Sequence, residues 1–400
     1  MRYEPTGGLF TVATILRDPT DTNARALANY GLLRYSARGT RSITEGVPPE
    51  LMRRKPAIGL VHYLGARWLP PFYAEGWRFR LHPWFDRWTN SLIQPGDHLI
   101  SSFGFTNESF RAVRASGGKT FYSAGNSHPA NLWAIMEEEN RRWKCPQPPY
   151  ARFQHRRVLE MMPLTDYVLS PSSFVTRSFV AEGFRPEQIL RNIYPVNLDC
   201  FTPRKGPRPS RPLTVISTGS LSLRKGSPYL LEAFRLVLKR QPQARLLLTD
   251  DVMDSVKPVL AHYNDLPIEW APALPHPQLA ERLRGADIFV LPSLEDGFAR
   301  TVTEALACGL PVVTTPNTGA ADFVTPGVNG EIVPIRDAPA IAEAISKWAD
   351  IILSSPEAPP IQFDVEAVSY DRFDQDFLEQ LATLGLIRPK KASVASAMRA

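Results

Sequence analysis

The sequence predicts an α/β protein of two Rossmann-like domains facing a central cleft. Three observations predict it. Short apolar runs alternate with segments of helical periodicity in both halves of the 400 residues. Residues 287–316, DIFVLPSLEDGFARTVTEALACGLPVVTTP, read as one strand–loop–helix–strand unit, and such units bind ligands at the carboxyl ends of their strands. Residues 204–211, RKGPRPSR, are polar and proline-rich between two periodic regions and read as a linker. The first domain is accordingly placed at 1–205 and the second at 206–365, followed by a helical segment, 366–386, and a flexible tail, 387–400.

Composition narrows the class. The hydrophobic fraction of 44% and charged fraction of 22% are those of an ordinary globular chain. No uncharged apolar run is long enough to span a bilayer, and residues 1–30 lack the basic start and apolar core of a secretory leader. Cys145, Cys200 and Cys308 lie far apart, with neither a metal spacing nor a disulfide framework, so a reducing, cytoplasmic setting is expected. Residues 1–208 hold 28 Lys+Arg against 17 Asp+Glu, net +11; residues 209–400 hold 18 against 23, net −5. A basic half suits an anionic membrane or a lipid-phosphate acceptor. Scattered arginines equally describe a solvated surface. No groove-reading motif or aromatic–basic platform stands out, so no nucleic-acid partner is expected.

In order, residues 10–16 read as a strand, 17–22 as a polar loop and 23–33 as a helix. Residues 56–96 are rich in aromatics, among them Trp77, Phe79, Trp84, Phe85 and Trp88, which read more readily as core than as an acceptor groove or a membrane-facing edge. A strand at 97–103, a helix at 107–116 and a strand at 119–123 lead to the turn AGNSHP, 124–129. Small residues and His128 at the carboxyl end of a strand occupy the expected place for a reacting group. The plain alternative is a turn histidine bonded to backbone. Residues 132–142, with Glu137, Glu138 and Glu139, read as a solvated helix, and His155, Arg156 and Arg157 as the opening of another. A strand at 167–169, a helix from about 174 to 183 and a strand at 189–194 close the half.

The second half opens with a strand at 213–217. The run Gly219-Ser220-Leu221-Ser222-Leu223-Arg224-Lys225-Gly226 follows, then a helix to about 239. A glycine turn carrying a lysine ahead of a helix start is a phosphate-binding arrangement. Strands at 244–249 and 267–270 precede the strand at 288–291. The loop 294–298 holds Glu295, Asp296 and Gly297, and a helix over 299–308 ends at Gly309, a C-cap glycine. Phe298, Ala299 and Arg300 offer N–H groups at that helix start, where phosphate is favoured. A loop carboxylate, Asp296, can accept from sugar hydroxyls, and Glu304 in the helix can chelate a ribose diol. The plain alternatives are a helix cap and a solvated face. A strand at 331–333 and helices at 338–353 and 370–384 complete the chain.

The stretch P-S-x-E-D-G-F followed by A-x-x-G-x-P-V-V resembles the retaining family 4 glycosyltransferases of GT-B fold. Their signature is Glu-x7-Glu within P-S-x-x-E-G-F-G…E-A-x-A-x-G-x-P-V-V. Asp296 stands at the first Glu, with Glu295 as its rival, and Glu304 at the second; Ala299 replaces the glycine after Phe298. Residues 219–226 are similar to the family's G-R-L-x-x-x-K-G, with Lys225 at the lysine and Ser220 at the arginine, which Arg224 could replace. Thr318-Gly319-Ala320-Ala321-Asp322 resembles G-G-x-x-E, and residues 165–203 resemble the close of the family's first domain.

The resemblance implies transfer of a sugar, with retained configuration, from a nucleotide-diphosphate-sugar donor to an acceptor hydroxyl of a glycan, lipid-linked saccharide or small molecule. In that reading Lys225 and Arg224, the turn at Gly219 and Ser220, and the helix start at Gly297, Phe298, Ala299 and Arg300 hold the donor diphosphate. Glu304 holds the ribose, Asp296 the donor sugar, and the N–H groups of Gly319 and Ala320 meet the distal phosphate or the sugar. His128 positions the transferred sugar, the turn 271–277 seats the base, and the 366–386 helix crosses back to the first domain. No cofactor is expected, and no metal, since an Asp-x-Asp motif is not evident. Partners are the donor, a saccharide or lipid-linked acceptor, and peripheral contact of the basic half with the inner membrane face. A GT-B-fold epimerase or hydrolase, and a catalytically weak nucleotide-sugar binder, stay open as alternatives.

Overall fold

The structure, a computed structural model, describes residues 3–15, 18–68, 81–145, 149–253, 256–354 and 361–390. Two parallel sheets carry the fold. The first has seven strands: β2 (Phe10–Thr14), β3 (Leu33–Arg38), β4 (Met52–Arg54), β5 (His98–Ser101), β6 (Thr120–Ser123), β7 (Tyr167–Ser170) and β8 (Ile189–Arg191), in the order β4-β3-β2-β5-β6-β7-β8. The second has six: β9 (Thr214–Thr218), β10 (Arg245–Thr249), β11 (Ile268–Ala271), β12 (Ile288–Leu291), β13 (Val312–Thr314) and β14 (Gly330–Ile332), in the order β11-β10-β9-β12-β13-β14. Every pair within both sheets is parallel. Val215, Ile216, Ile288, Phe289 and Val290 are fully buried, which is why these central strands read as unbroken apolar runs. Each order reverses direction once, between β2 and β5 and between β9 and β12. Those two switch points open crevices at the strands' carboxyl ends.

Several expectations are corrected. The helix expected at 23–33 is Thr20–Asn29, because Gly31 turns the chain with φ +72° and β3 begins at Leu33. His155, Arg156 and Arg157 lie inside the helix Pro149–Met161 and do not open it. Residues 387–389 of the expected flexible tail form β15 (Ile387–Pro389), paired antiparallel with β1 (Tyr3–Pro5). The end of the first expected strand at residue 16, Arg17, Trp77 and Phe79, and the tail at 391–400 lie outside the described residues.

The sharpest difference concerns Glu139. It is fully buried in the helix Pro129–Arg142, accepting from Tyr229 Oη (2.8 Å), Trp143 Nε1 (2.7 Å) and Arg336 Nε (2.7 Å). Ile135, Met136 and Trp143 share its face at helical spacing and pack on the second lobe's core, of which Cys145 is a member. The helix is therefore an inter-lobe element, and partners distant in the chain, Tyr229 and Arg336, hold its buried carboxylate. The linker is tied down too. Arg208 and Arg211 each grip the buried Asp287 with two nitrogens at 2.8–3.0 Å, and Arg204 donates to the carbonyls of Arg284 and Ala286. The helix Tyr370–Thr383 buries Phe373, Phe377, Leu378 and Leu381 against Phe10, Val12 and Leu27 of the first lobe.

Candidate active site

The turn after β9 and the loop after β12 meet at the second lobe's switch point. Gly226 takes φ +70° at the start of the helix Ser227–Leu238, and a Cβ there would lie 2.0 Å from the Pro292 carbonyl, so glycine alone lets the two segments meet. Arg224 accepts from the Leu294 N–H (2.8 Å) and donates through Nη1 to the Glu295 carbonyl (2.8 Å). Lys225 Nζ pairs with Asp296 Oδ2, and Arg224 stands 3.8 Å from the same oxygen. Burial pushes the Asp296 carboxyl up, but Lys225 and Arg224 outweigh it and hold the group below the usual carboxylate range. Gly219 has φ +105°, and a Cβ built there would lie 3.9 Å from Lys225 Cε and Nζ; Ser220 is half-buried beside it.

Glu295 and Asp296 face different tasks. Glu295 is fully buried and reaches the first lobe, accepting from the Ser127 N–H (2.7 Å) and Asn126 Nδ2 (2.9 Å), with Arg224 at 3.4 Å. Burial raises its carboxyl against these partners. A Cβ on Gly297 would sit 2.3 Å from the Gly125 carbonyl, and Ser172 Oγ donates to the Gly297 carbonyl at 2.8 Å. The turn at 124–129 and the Asp296 loop are thus backbone-to-backbone neighbours across the cleft.

The helix Arg300–Ala307 starts from Ala299, which adopts φ +60°, ψ +69°. A left-handed alanine costs about 1–2 kcal/mol where glycine costs little. Ala299→Gly is expected to stabilise the chain by about 1 kcal/mol in urea unfolding; a loss of stability would show that the backbone there is unstrained. Among the described residues the N–H groups of Gly297, Ala299 and Arg300 make no hydrogen bond. Phe298 N–H turns to Asp296 Oδ1 at 3.3 Å. The N–H groups of Gly319 and Ala320 are occupied, donating to the carbonyls of Asp296 (2.9 Å) and Phe298 (2.6 Å). This corrects their expected use toward phosphate: the bridge between Asp296 and Thr318 holds the segment too close to the loop.

Glu304 is 3% exposed and, contrary to a solvated face, its carboxylate makes no hydrogen bond among the described residues. Burial pushes it up to about 7, opposed only by Arg300. Thr218 Oγ1 at the end of β9, Ser293 Oγ just past β12 and Arg300 Nε are also buried without a partner among the described residues. Orphaned polar atoms gathered at a switch point mark a place where a ligand supplies the missing bonds.

His128 is the N-cap of the helix Pro129–Arg142. Its Nδ1 accepts from the Ala130 N–H (3.3 Å), and its ring stands edge-on to Phe179 with centroids 5.0 Å apart. Burial lowers its pKa, so the ring is neutral at pH 7. This edge of the ring is that of a turn histidine bonded to backbone. Asp18 was missed. It follows β2 at the first lobe's switch point and accepts from Thr14 Oγ1 (2.8 Å), Ser102 Oγ (2.7 Å) and Thr20. An aspartate between a strand and a helix-starting Thr20 was the signal available.

Residues 201–351 match the family described as glycosyl transferases group 1. The chain is 30% identical over 229 residues to a protein of Salmonella typhimurium named as the colanic acid biosynthesis glycosyltransferase WcaL, a match covering 55% of this chain and 56% of that protein. It spans about half the length of the curated relatives it matches first. Among solved structures it resembles sucrose-phosphate synthase from Thermosynechococcus elongatus, with TM-score 0.69 at 18% identity over 94% of this chain and 99% of that one. It also resembles Anabaena Alr3699/HepE in complex with UDP and glucose, with TM-score 0.65 at 14% identity over 94% and 100%.

Proposed function

With a glycosyl transferases group 1 domain at residues 201–351 and the GT-B fold across the described chain, we propose that this protein transfers a sugar from a nucleotide-diphosphate-sugar donor to an acceptor hydroxyl, with retention. The observation that carries the reading is the meeting, at one switch point, of two cations, a free helix start and an uncompensated buried carboxylate. A departing diphosphate needs positive charge where its own charge develops. Arg224, Lys225 and the N–H groups of Gly297, Ala299 and Arg300 supply that charge from protein alone. Glu304 takes the ribose diol, whose two hydroxyls provide the hydrogen bonds its carboxylate lacks. Asp296 exchanges Lys225 for the donor sugar's hydroxyls as the diphosphate claims the lysine. In the reaction the bond from the anomeric carbon to the diphosphate breaks with its electron pair on the diphosphate. The acceptor oxygen forms the new bond to the anomeric carbon and passes its proton to an oxygen of the departing diphosphate. The acceptor enters from the first lobe, past Asp18 and the turn of His128, whose neutral ring borders the transferred sugar.

The test is thermal shift against a panel of nucleotide sugars, followed by turnover with and without acceptors. One nucleotide class at a hundredfold excess over its Kd is expected to stabilise the chain by about 2.7 kcal/mol. Binding is expected to strengthen as pH rises through about 7, because the ribose is held by ionised Glu304. No shift with any donor would remove the reading. Donor consumption without an acceptor would replace transfer by hydrolysis or epimerisation.

A further inference from the structure

The helix Pro56–Trp68 presents apolar side chains on two faces. Ile58 is fully buried, and Val61 packs beside it on the first lobe's core. Leu60, Tyr63, Leu64 and Trp68 recur at i, i+3, i+4 and i+8, so they share one face. They are 57%, 60%, 44% and 79% exposed. A helix apolar on its outer as well as its inner face needs a second apolar medium. The surroundings are basic. Arg41 and Arg54 are exposed, Arg53 is half-exposed, and Lys55 lies 5.8 Å over the ring of the exposed Trp84. Residues 39–55 contain four Lys+Arg against two Asp+Glu, within the half whose net charge is +11.

The helix start abuts the carboxyl end of β3. Lys55 N–H donates to the Arg38 carbonyl at 2.8 Å and Gly59 N–H to the Gly39 carbonyl at 2.9 Å. Four residues past Gly39, Ile43 is 60% exposed. The start of the helix therefore lies at the carboxyl end of the first sheet, the end at which its switch point opens.

We propose that this face docks the protein on an anionic phospholipid bilayer. Leu60, Leu64 and Trp68 enter the headgroup–acyl boundary, Tyr63 and Trp68 put amphipathic rings at headgroup depth, and the surrounding Lys and Arg side chains meet lipid phosphate. The sequence suggested membrane contact from net charge and, as one alternative, from the aromatic stretch 56–96; the structure supplies a surface within it. An aromatic and aliphatic face bordered by cations is the pattern of an interfacial helix, where apolar burial and attraction to anionic lipid act together. Arginines scattered on a solvated surface would leave no reason for four large apolar side chains to stand out of one helix. The docking does not depend on the transfer reaction. If both hold, the cleft's first-lobe side faces the bilayer, and the acceptor class follows as a saccharide carried on a membrane lipid.

The test is flotation of the full chain, without donor or acceptor, on phosphatidylcholine vesicles with and without phosphatidylglycerol. The wild type is expected to float with the anionic vesicles, and less so at high salt. The double variant Leu64→Glu, Trp68→Glu is expected to lose at least about tenfold in partitioning while keeping the wild-type melting temperature, since both side chains are exposed. Failure of the wild type to float, or equal flotation of the variant, overturns the proposal. So does a clear fall in the variant's melting temperature, which would show that the chain covers this face itself. A wild-type dimer in sedimentation velocity that the variant abolishes would assign the face to a second copy instead. Donor binding in the thermal-shift panel is read separately, so failure of docking leaves the transfer reading standing, and the reverse.

Discussion

Glu304→Gln is expected to abolish donor binding and, above pH 7, to make the empty protein more stable than the wild type. Glu304 is 3% exposed, with no hydrogen bond to its carboxylate among the described residues, and burial raises it from the ordinary carboxylate range to about 7. A carboxyl raised in the folded state contributes fully below its unfolded pKa. That contribution is lost as pH rises through the folded value, because the folded chain must then hold an unpaired charge. Wild-type stability should therefore fall between about pH 4.5 and 7, and glutamine, which does not ionise, should escape the fall. The difference is on the order of 2–3 kcal/mol at pH 8 and vanishes near pH 4.5. Urea unfolding at both pH values reads it directly. Donor affinity moves the other way: losing two charge-assisted bonds to the ribose raises Kd at least about a hundredfold. A variant as unstable as the wild type at pH 8, or one that still binds donor normally, would show that Glu304 is neither strained nor a ligand-holding group.

Lys225→Met is expected to cut kcat/KM by about 10²–10³, the loss typical of removing one preorganised charge from a developing anion. The same change strips Asp296 of its main counter-charge. Arg224 at 3.8 Å and the Phe298 N–H at 3.3 Å remain, against a burial that favours the neutral acid. In the wild type Asp296 is depressed, so its stabilising contribution is present above the ordinary carboxylate range and lost only at lower pH. In the methionine variant the depression is relieved, and the acidic limb of the kcat/KM profile should move to higher pH. Breaking a buried pair also destabilises by about 3–5 kcal/mol, so Lys225→Arg is the companion. It keeps the charge, should restore the fold and the acid limb, and should recover only part of the rate, because a planar fork does not reproduce a point charge. Unchanged kcat/KM in both variants would remove Lys225 from the diphosphate site.

These residues also show how far the sequence reaches. The strand β12, the helix Arg300–Ala307 and its closing Gly309 follow from apolar period and a C-cap glycine, which act over a few residues. The switch-point position of Arg224, Lys225, Asp296 and Glu304 follows from the order of strands, and the alternation of elements carries that order. Ala299 stands where the resembling motif has glycine, and its own backbone is left-handed, so alanine bears the strain there. The helix read too far, to residue 33, failed because Ala–Leu spacing continues up to Gly31, and a single glycine outweighs it.

What the sequence by itself determined is the pair of parallel α/β lobes, the βαβ unit at residues 287–316 and the set of charged residues at its strand ends, because periodicity, capping and turn chemistry are local. Only the tertiary structure decided which charges meet. Glu295 and Asp296 are neighbours in sequence, yet one holds the first lobe's turn and the other pairs with Lys225. Glu139, one of three adjacent glutamates, is buried because Arg336 and Tyr229 come to it from the other lobe. Gly319 and Ala320 bond to the Asp296 loop, which removes their N–H groups from the cleft. Ionisation and hydrogen bonding depend on distance and dielectric, and for residues far apart in the chain both exist only after folding.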